Sequence, residues 1–253
     1  MPRANLKRVS MQTRNVPASG PGYWTALSVA SVFGANMGDF CSKVLHLGHA
    51  NGLLPLAILF AAILAVERRA TAATVAFYWL AVLALRTAAT NAGDLLTHDF
   101  AVPYPAAMAG LAVLLAAILV LERPSPAVRR DTSVPDSNLY YWAAMMVAGT
   151  LGTAAGDYVA DVLGLGAGAG SLVLCAVLAA LLAIRTIGGF TSRASYWIVI
   201  VAIRSAGTTV GDYLAGRHGL DFGLPVSTAA TGLVFVTILA ALFYAKPPNA
   251  AAA

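Results

Sequence analysis

The chain alternates between apolar stretches and short polar segments. Apolar runs of about 20 residues are long enough to cross the hydrocarbon core of a bilayer as helices. Their limits predict eight spans, near residues 23–46, 51–67, 76–97, 103–122, 140–163, 168–187, 195–215 and 225–245. The predicted fold class is therefore an all-α membrane protein with eight transmembrane helices.

A fixed phrase recurs four times within this pattern. Each copy opens with Tyr-Trp and reaches a Gly-Asp pair, and the aspartate always lies 15 residues after the tryptophan. Successive tryptophans are 55, 63 and 55 residues apart: Trp24, Trp79, Trp142 and Trp197. A fixed period of this length indicates tandem structural repeats. Each repeat is predicted to contain two helices.

The repeats divide the chain into two equivalent halves, with matching residues 118 positions apart. We predict a pseudo-twofold arrangement in which all four repeats are parallel, as in some transporter halves. The predicted segments are a basic tail (1–21), a first half (22–122), a Pro/Ser-rich charged linker (123–139), a second half (140–245) and a C-terminal tail (246–253).

Composition supports a membrane environment. Of the 253 residues, 59% are hydrophobic and 11% are charged, whereas soluble domains have about 25% charged residues. Little sequence is left for a soluble domain. Cys41 and Cys175 match no metal or redox motif, so both free thiols and a disulfide remain open.

The positive charges indicate orientation. Twelve of the 16 lysines and arginines fall on one side of the predicted membrane, whereas Lys43 and Arg217 fall on the other. The positive-inside rule then predicts that both termini are cytoplasmic. The net charge of +5 reflects topology, so no nucleic-acid partner is predicted. The expected partners are the lipid bilayer and a small cation or proton, with homo-oligomerisation left open.

Odd and even helices differ in chemistry. The even helices carry no charge in their centres, which predicts that they face lipid. The odd helices carry small residues 10 and 14 positions after the tryptophan, and such pairs let helices approach closely. We predict that the odd helices form an inner cluster with these glycines at its contacts: Gly34, Gly38, Gly93, Gly152, Gly156, Gly207 and Gly211.

Four aspartates lie in register within the odd helices. An ionised carboxylate inside a span costs roughly 2.5–3.5 kcal/mol on insertion scales. With Tyr-Trp at the cytoplasmic interface, each aspartate lies about 22 Å along its helix, towards the outer face. Because converging carboxylates favour a bound cation or proton, Asp94, Asp157 and Asp212 are expected to share one outward-facing cavity. Asp39 is a weaker member because Lys43 follows one turn later. Structural hydrogen bonding or capping is the alternative.

Two aspartates have a second polar residue one turn further along. Asp94 with His98, and Asp157 with Asp161, are i,i+4 pairs on one helix face. Carboxylates suit Mg²⁺, Ca²⁺ or Mn²⁺, and an imidazole adds Zn²⁺ and other transition metals. A bound metal cation is therefore an open expectation, with these four residues as candidate ligands. The remaining histidines lie in outer turns and are interpreted as ordinary loop residues: His46, His49 and His218.

Two arginines occupy equivalent positions in the two halves. Arg86 and Arg204 lie seven residues after their tryptophans, where the other repeats have Ser31 and Gly149. Each arginine is about 12 Å along the helix from its own aspartate, too far for a salt bridge within one helix. We expect these charge partners to contact a neighbouring helix or a ligand. A structural ion-pair lock is the alternative.

These residues resemble a known bacterial family. The resemblance rests on the four "YW" pairs at 23–24, 78–79, 141–142 and 196–197, together with "GTAAGDYVADVLGLG" and "GTTVGDY". The chain is similar, over about residues 22–245, to integral membrane proteins described as a repeat of unknown function, with four tandem repeats of two transmembrane segments. The resemblance implies topology and no settled activity. The first repeat departs from the pattern, with Lys43 where the third has Asp161.

The leading hypothesis is a multi-pass inner-membrane transporter of cations, either a divalent metal or a proton-coupled cation, that uses the intramembrane aspartates. A cation channel with an outer aspartate ring is one alternative, and a structural or assembly subunit without transport is another. The sequence contains no Ser/His or metalloprotease motif and no phosphate loop. We therefore predict that the protein is not an enzyme and assign no catalytic residue.

Overall fold

The computed structural model describes residues 17–70, 75–122 and 137–244, and over these residues the chain forms eight α-helices and no strand. The helices are α1 (Pro21–Asp39), α2 (Gly48–Arg69), α3 (Val75–Asp94), α4 (Tyr104–Leu121), α5 (Leu139–Asp157), α6 (Gly166–Thr186), α7 (Arg193–Ala215) and α8 (Gly223–Tyr244). The all-α prediction is confirmed. The predicted tails and linker lie outside the described residues, except for 17–21 and 137–139 at their edges.

Six of these helices are long and apolar enough to cross a bilayer, namely α2, α3, α4, α6, α7 and α8. The other two, α1 and α5, hold the same place in their repeats as α3 and α7, and they pack directly against them. The chain is therefore a helical membrane protein.

The four odd helices form a closed ring in which α1 contacts α3, α3 contacts α5, α5 contacts α7, and α7 contacts α1. Each even helix packs outside this ring on the odd helix of the following repeat: α2 on α3, α4 on α5, α6 on α7, and α8 on α1. Neighbouring repeats are therefore interlocked, and the last repeat closes on the first.

Burial separates the two sets of helices. In the most apolar stretch of α2, α4 and α6 only 11% of residues are buried, and 22% in α8, against 61% in α3 and 56% in α7. The even helices thus present apolar side chains outward, as predicted from their lack of central charge. The odd helices supply the core.

Small residues allow the odd helices to approach closely. A Cβ added at Gly38 would lie 2.7 Å from the Cβ of Thr90, and one added at Gly156 would lie 2.9 Å from the backbone oxygen of Ser205. The other glycines meet the next helix of the ring in the same way: Gly34 meets Arg86, Gly93 meets Thr153, Gly152 meets Arg204, Gly207 meets Ser31, and Gly211 meets Asn36. A larger side chain at these positions would separate the backbones.

The Tyr-Trp pairs are core residues. The four tryptophans are only 2–4% exposed, so they do not form the lipid-facing aromatic belt that an interfacial placement implied. The tyrosine hydroxyls close a cycle of hydrogen bonds, which we call the tyrosine ring: Tyr23–Tyr78 at 2.8 Å, Tyr78–Tyr141 at 2.7 Å, Tyr141–Tyr196 at 3.1 Å and Tyr196–Tyr23 at 2.7 Å. This cycle closes the bundle axis at the N-terminal ends of the odd helices.

Three odd helices continue into a π-helical turn directly after the aspartate. These turns are Phe40–Val44, Leu95–Asp99 and Tyr158–Val162. In the first, the N–H of Leu45 donates to the carbonyl of Phe40 at 2.9 Å, five residues earlier. No such turn follows the fourth aspartate, where α7 runs on to Ala215. Single π turns inside helices frequently occur at functional sites.

Candidate cation-binding cavity

All four aspartates line one cavity of about 240 Å³ at the end of the ring opposite the tyrosine ring. The walls are formed by the C-terminal ends of the odd helices, so each repeat contributes one carboxylate: Asp39, Asp94, Asp157 and Asp212. The residues four positions further along also line it in three repeats: Lys43, His98 and Asp161. The structure thus brings together every acidic residue and the histidine that the sequence selected.

The four carboxylates have different partners. Asp39 forms an ion pair with Lys43 at 2.9 Å, as the sequence suggested. Asp94 has an imidazole nitrogen 3.8 Å from each carboxylate oxygen, one from His49 and one from His98, and this distance is too long for a hydrogen bond. Within the described ranges Asp157 has no ion pair, and its buried Oδ2 has no hydrogen-bond partner.

Arg86 lies beneath the cavity and donates to two threonines of its lining. Its side chain is 1% exposed, and its five N–H groups donate to acceptors on α1, α5 and α7 at 2.7–3.4 Å. These acceptors are the carbonyl oxygens of Ser31, Gly149 and Arg204 and the hydroxyls of Thr153 and Thr208. Because both threonines line the cavity, Arg86 closes the bundle axis directly beneath it.

Arg204 has a different environment despite its equivalent place in the sequence. It is also 1% exposed, but its Nε and Nη1 have no hydrogen-bond partner in the described part of the chain. One acceptor of Arg86 is Thr153, and the twofold-equivalent residue is Ala35, which has no hydroxyl. Among the described residues neither arginine forms an ion pair with a carboxylate. An arginine–aspartate lock is therefore not formed there.

His49 approaches the cavity aspartate Asp94, although its sequence position suggested an ordinary loop residue. It lies in the first turn of α2, and its Nδ1 is 2.9 Å from Asp99 Oδ1. The corresponding residue of the second repeat is Tyr104, whose hydroxyl is 3.3 Å from Nε2 of His98. The repeat alignment could have selected this position. Only the packing of α2 on the following repeat brings His49 to Asp94.

The metal expectation has limited support. In the described ranges no three His, Cys, Asp or Glu side chains come close enough to hold one metal ion together. Asp94 with His98, and Asp157 with Asp161, therefore remain pairs rather than parts of a larger ligand set. A dedicated Ca²⁺ site uses six or more oxygen ligands, so water would have to complete any coordination shell. Cys41 and Cys175 are both free thiols.

Comparison with known families agrees with the repeat structure. A family model described as Repeat of Unknown Function (DUF347) matches residues 22–72, 77–123, 140–187 and 195–247. Each matched segment contains one odd helix and the even helix that follows it. Comparisons with curated proteins and with solved structures gave no match.

Proposed function

Because the chain belongs to the Repeat of Unknown Function (DUF347) family, we propose a function from its cavity alone: it is a multi-pass inner-membrane transporter that binds a small cation among the four aspartates. The observation that carries this proposal is the convergence of four carboxylates on one cavity with too few positive charges around them.

The charge balance favours a cation. Lys43 offsets Asp39, and Arg86 contributes one further positive charge beneath the cavity. Asp94, Asp157, Asp212 and Asp161 remain, so the cavity is negative when these groups are ionised. A buried charge without a partner is costly, and a cation or a proton would remove that cost. The unpaired Oδ2 of Asp157 is an acceptor already available to such a ligand.

The geometry favours a cation that keeps part of its water shell. Two-ligand pairs and single carboxylates suit a hydrated ion better than a dehydrated metal, because no three-ligand group exists in the described residues. A cavity of about 240 Å³ has room for a small ion with several waters. The same carboxylates would take up protons once the ion leaves, which supports proton-coupled exchange.

Orientation follows from the basic residues. Arg68, Arg69, Arg185 and Arg193 lie at helix ends on the tyrosine-ring side, whereas Lys43 lies at the cavity end. The positive-inside rule assigns the arginine-rich end to the cytoplasm. The cavity then opens to the outer face, and both termini are cytoplasmic.

A carrier is favoured over a channel. A conducting pore needs a continuous polar path, but Arg86 and the tyrosine ring both lie across the axis between the cavity and the cytoplasmic end. The channel remains a second candidate because the aspartates form a ring contributed by four repeats. Two blocked points along one axis fit a carrier that opens to each side in turn better than a simple pore.

A binding experiment tests the proposal. The full-length protein in lipid nanodiscs is melted in Na⁺, K⁺, Mg²⁺, Ca²⁺, Mn²⁺ and Zn²⁺ and over a range of pH. A cation bound only by the folded state raises the melting temperature by mass action, and Asp157→Asn should abolish that rise. Asp221→Asn, in the exposed turn before α8, is the matched control and should keep it.

Flux measurements then separate a transporter from a binding protein. Proteoliposomes containing the parent protein should accumulate the stabilising cation, and those containing Asp157→Asn should not. If no cation or pH change stabilises the parent more than Asp157→Asn, the aspartates are structural. Cation binding without flux would refute transport while leaving the site intact.

A further inference from the structure

The core of the ring contains a buried guanidinium with unpaired donors. Within the described residues, Nε and Nη1 of Arg204 have no hydrogen-bond partner. The hydroxyl of Ser31 is also buried and unpaired, and Ser31 lies at the same repeat position as Arg204. The aspartate cavity, by contrast, contains an unpaired acceptor, Oδ2 of Asp157.

The charge of Arg204 lacks a counter-charge. Arginine stays protonated in proteins, and burying an ion without a partner is strongly unfavourable. In the described ranges no carboxylate forms an ion pair with Arg204. A second guanidinium, that of Arg86, donates to the carbonyl of Arg204 at 3.2 Å and adds positive charge nearby.

Among the described residues, Arg204 does not form the set of hydrogen bonds that Arg86 forms. The twofold-equivalent carbonyls that it would need are those of Ser31 and Gly149, and Arg86 already donates to both. Ala35 replaces the threonine hydroxyl that completes the set around Arg86. The side chain is therefore left with donors that no protein acceptor in the described chain satisfies.

We propose that a small monovalent anion of the halide class binds beside the buried guanidinium of Arg204, which does not line the aspartate cavity. Such an anion supplies the missing negative charge. It accepts hydrogen bonds from N–H and O–H groups in any direction, so the donors need no fixed geometry. Arg204 is its main ligand. The unpaired hydroxyl of Ser31, which packs against Gly207 three residues further along α7, is the second candidate donor. The site is separate from the aspartate cavity and does not depend on the cation proposal.

Halide exchange tests this site in the full-length protein. Protein in nanodiscs is moved from gluconate into chloride or bromide at constant ionic strength, and retained radiolabelled chloride and melting temperature are measured. The parent should retain chloride and melt higher in either halide. Arg204→Lys keeps the charge but loses the planar set of donors, and it should weaken halide binding about tenfold or more. Arg217→Lys, an exposed arginine, should bind like the parent.

The outcomes distinguish the alternatives. If the parent retains no chloride and melts identically in gluconate and halide, a buried water fills the position and the anion site is refuted. If Arg204→Lys binds as tightly as the parent, the anion binds elsewhere and the assignment is wrong. Should Arg204→Lys not fold, Ser31→Ala replaces it and is expected to weaken chloride binding several-fold, so that unchanged binding overturns the proposal. Asp157→Asn should retain chloride, which separates this result from the cation test.

Discussion

The same aspartate occurs in each of the four repeats, yet its surroundings differ from repeat to repeat. Asp39 is paired with Lys43, Asp94 lies between two imidazoles, and Asp157 has an unpaired oxygen. These differences come from the residue four positions further along and from the even helix of the preceding repeat. A cation should therefore bind closer to Asp157 than to Asp39.

The two arginines should respond differently to one substitution. Arg86→Lys replaces five fixed donors with one ammonium group, which cannot reach acceptors on three helices at once. We expect a loss of about 2–4 kcal/mol in the free energy of unfolding, because several buried hydrogen bonds are lost. The measurement is thermal unfolding in nanodiscs in gluconate. Arg204→Lys under the same conditions is the matched variant, and equal losses would contradict the assigned roles.

The odd helices are held together by small residues that face the next helix of the ring. The glycines matter because their neighbours are backbone atoms and short side chains that cannot move aside. The π turns also shape the cavity, since they contain Lys43, His98 and Asp161, which line it. The fourth repeat has Gly216 at this position and no π turn.

Replacing Gly156 by leucine should disrupt the α5–α7 contact. A Cβ there already lies within 2.9 Å of the backbone oxygen of Ser205, and overpacking costs roughly 1–3 kcal/mol or more. The folded fraction in size-exclusion chromatography and the melting temperature should both fall. Gly110→Leu is the control, because a Cβ at Gly110 meets nothing within 4 Å. Similar behaviour of the two variants would show that the contact is unimportant.

At the scale of the whole molecule, the closed ring leaves one face with a carboxylate cavity and the other with the tyrosine ring. The pseudo-fourfold arrangement of helices is reduced to twofold by Arg86 and Arg204. It is reduced further by Thr153 and Ala35, which make the two arginines inequivalent. The molecule therefore has its carboxylates at one end of the ring and the cycle of tyrosine hydroxyls at the other.

Topology can be checked by cysteine labelling in spheroplasts. In a background with Cys41 and Cys175 replaced by alanine, Arg130→Cys should be protected from a membrane-impermeant maleimide until the cells are lysed, because the positive-inside rule predicts a cytoplasmic linker. Residue 130 lies outside the described residues, so this experiment tests the sequence prediction directly. Asp221→Cys, at the cavity end, should be labelled in intact spheroplasts. Labelling of 130 with protection of 221 would invert the orientation.

Hydropathy and the repeat period were sufficient to predict the eight helices, the inner and outer sets and the aspartate register. These features depend on residue spacing along one helix, which can be read directly from the sequence. Contacts between repeats decided three other features. These are the closed order of the helices, the tyrosine ring and the position of His49 beside Asp94. Arg86 and Arg204 illustrate the limit, since their positions are equivalent in the chain. Their hydrogen bonds differ because the acceptors come from helices far away in sequence, and only the folded packing selects which arginine reaches them.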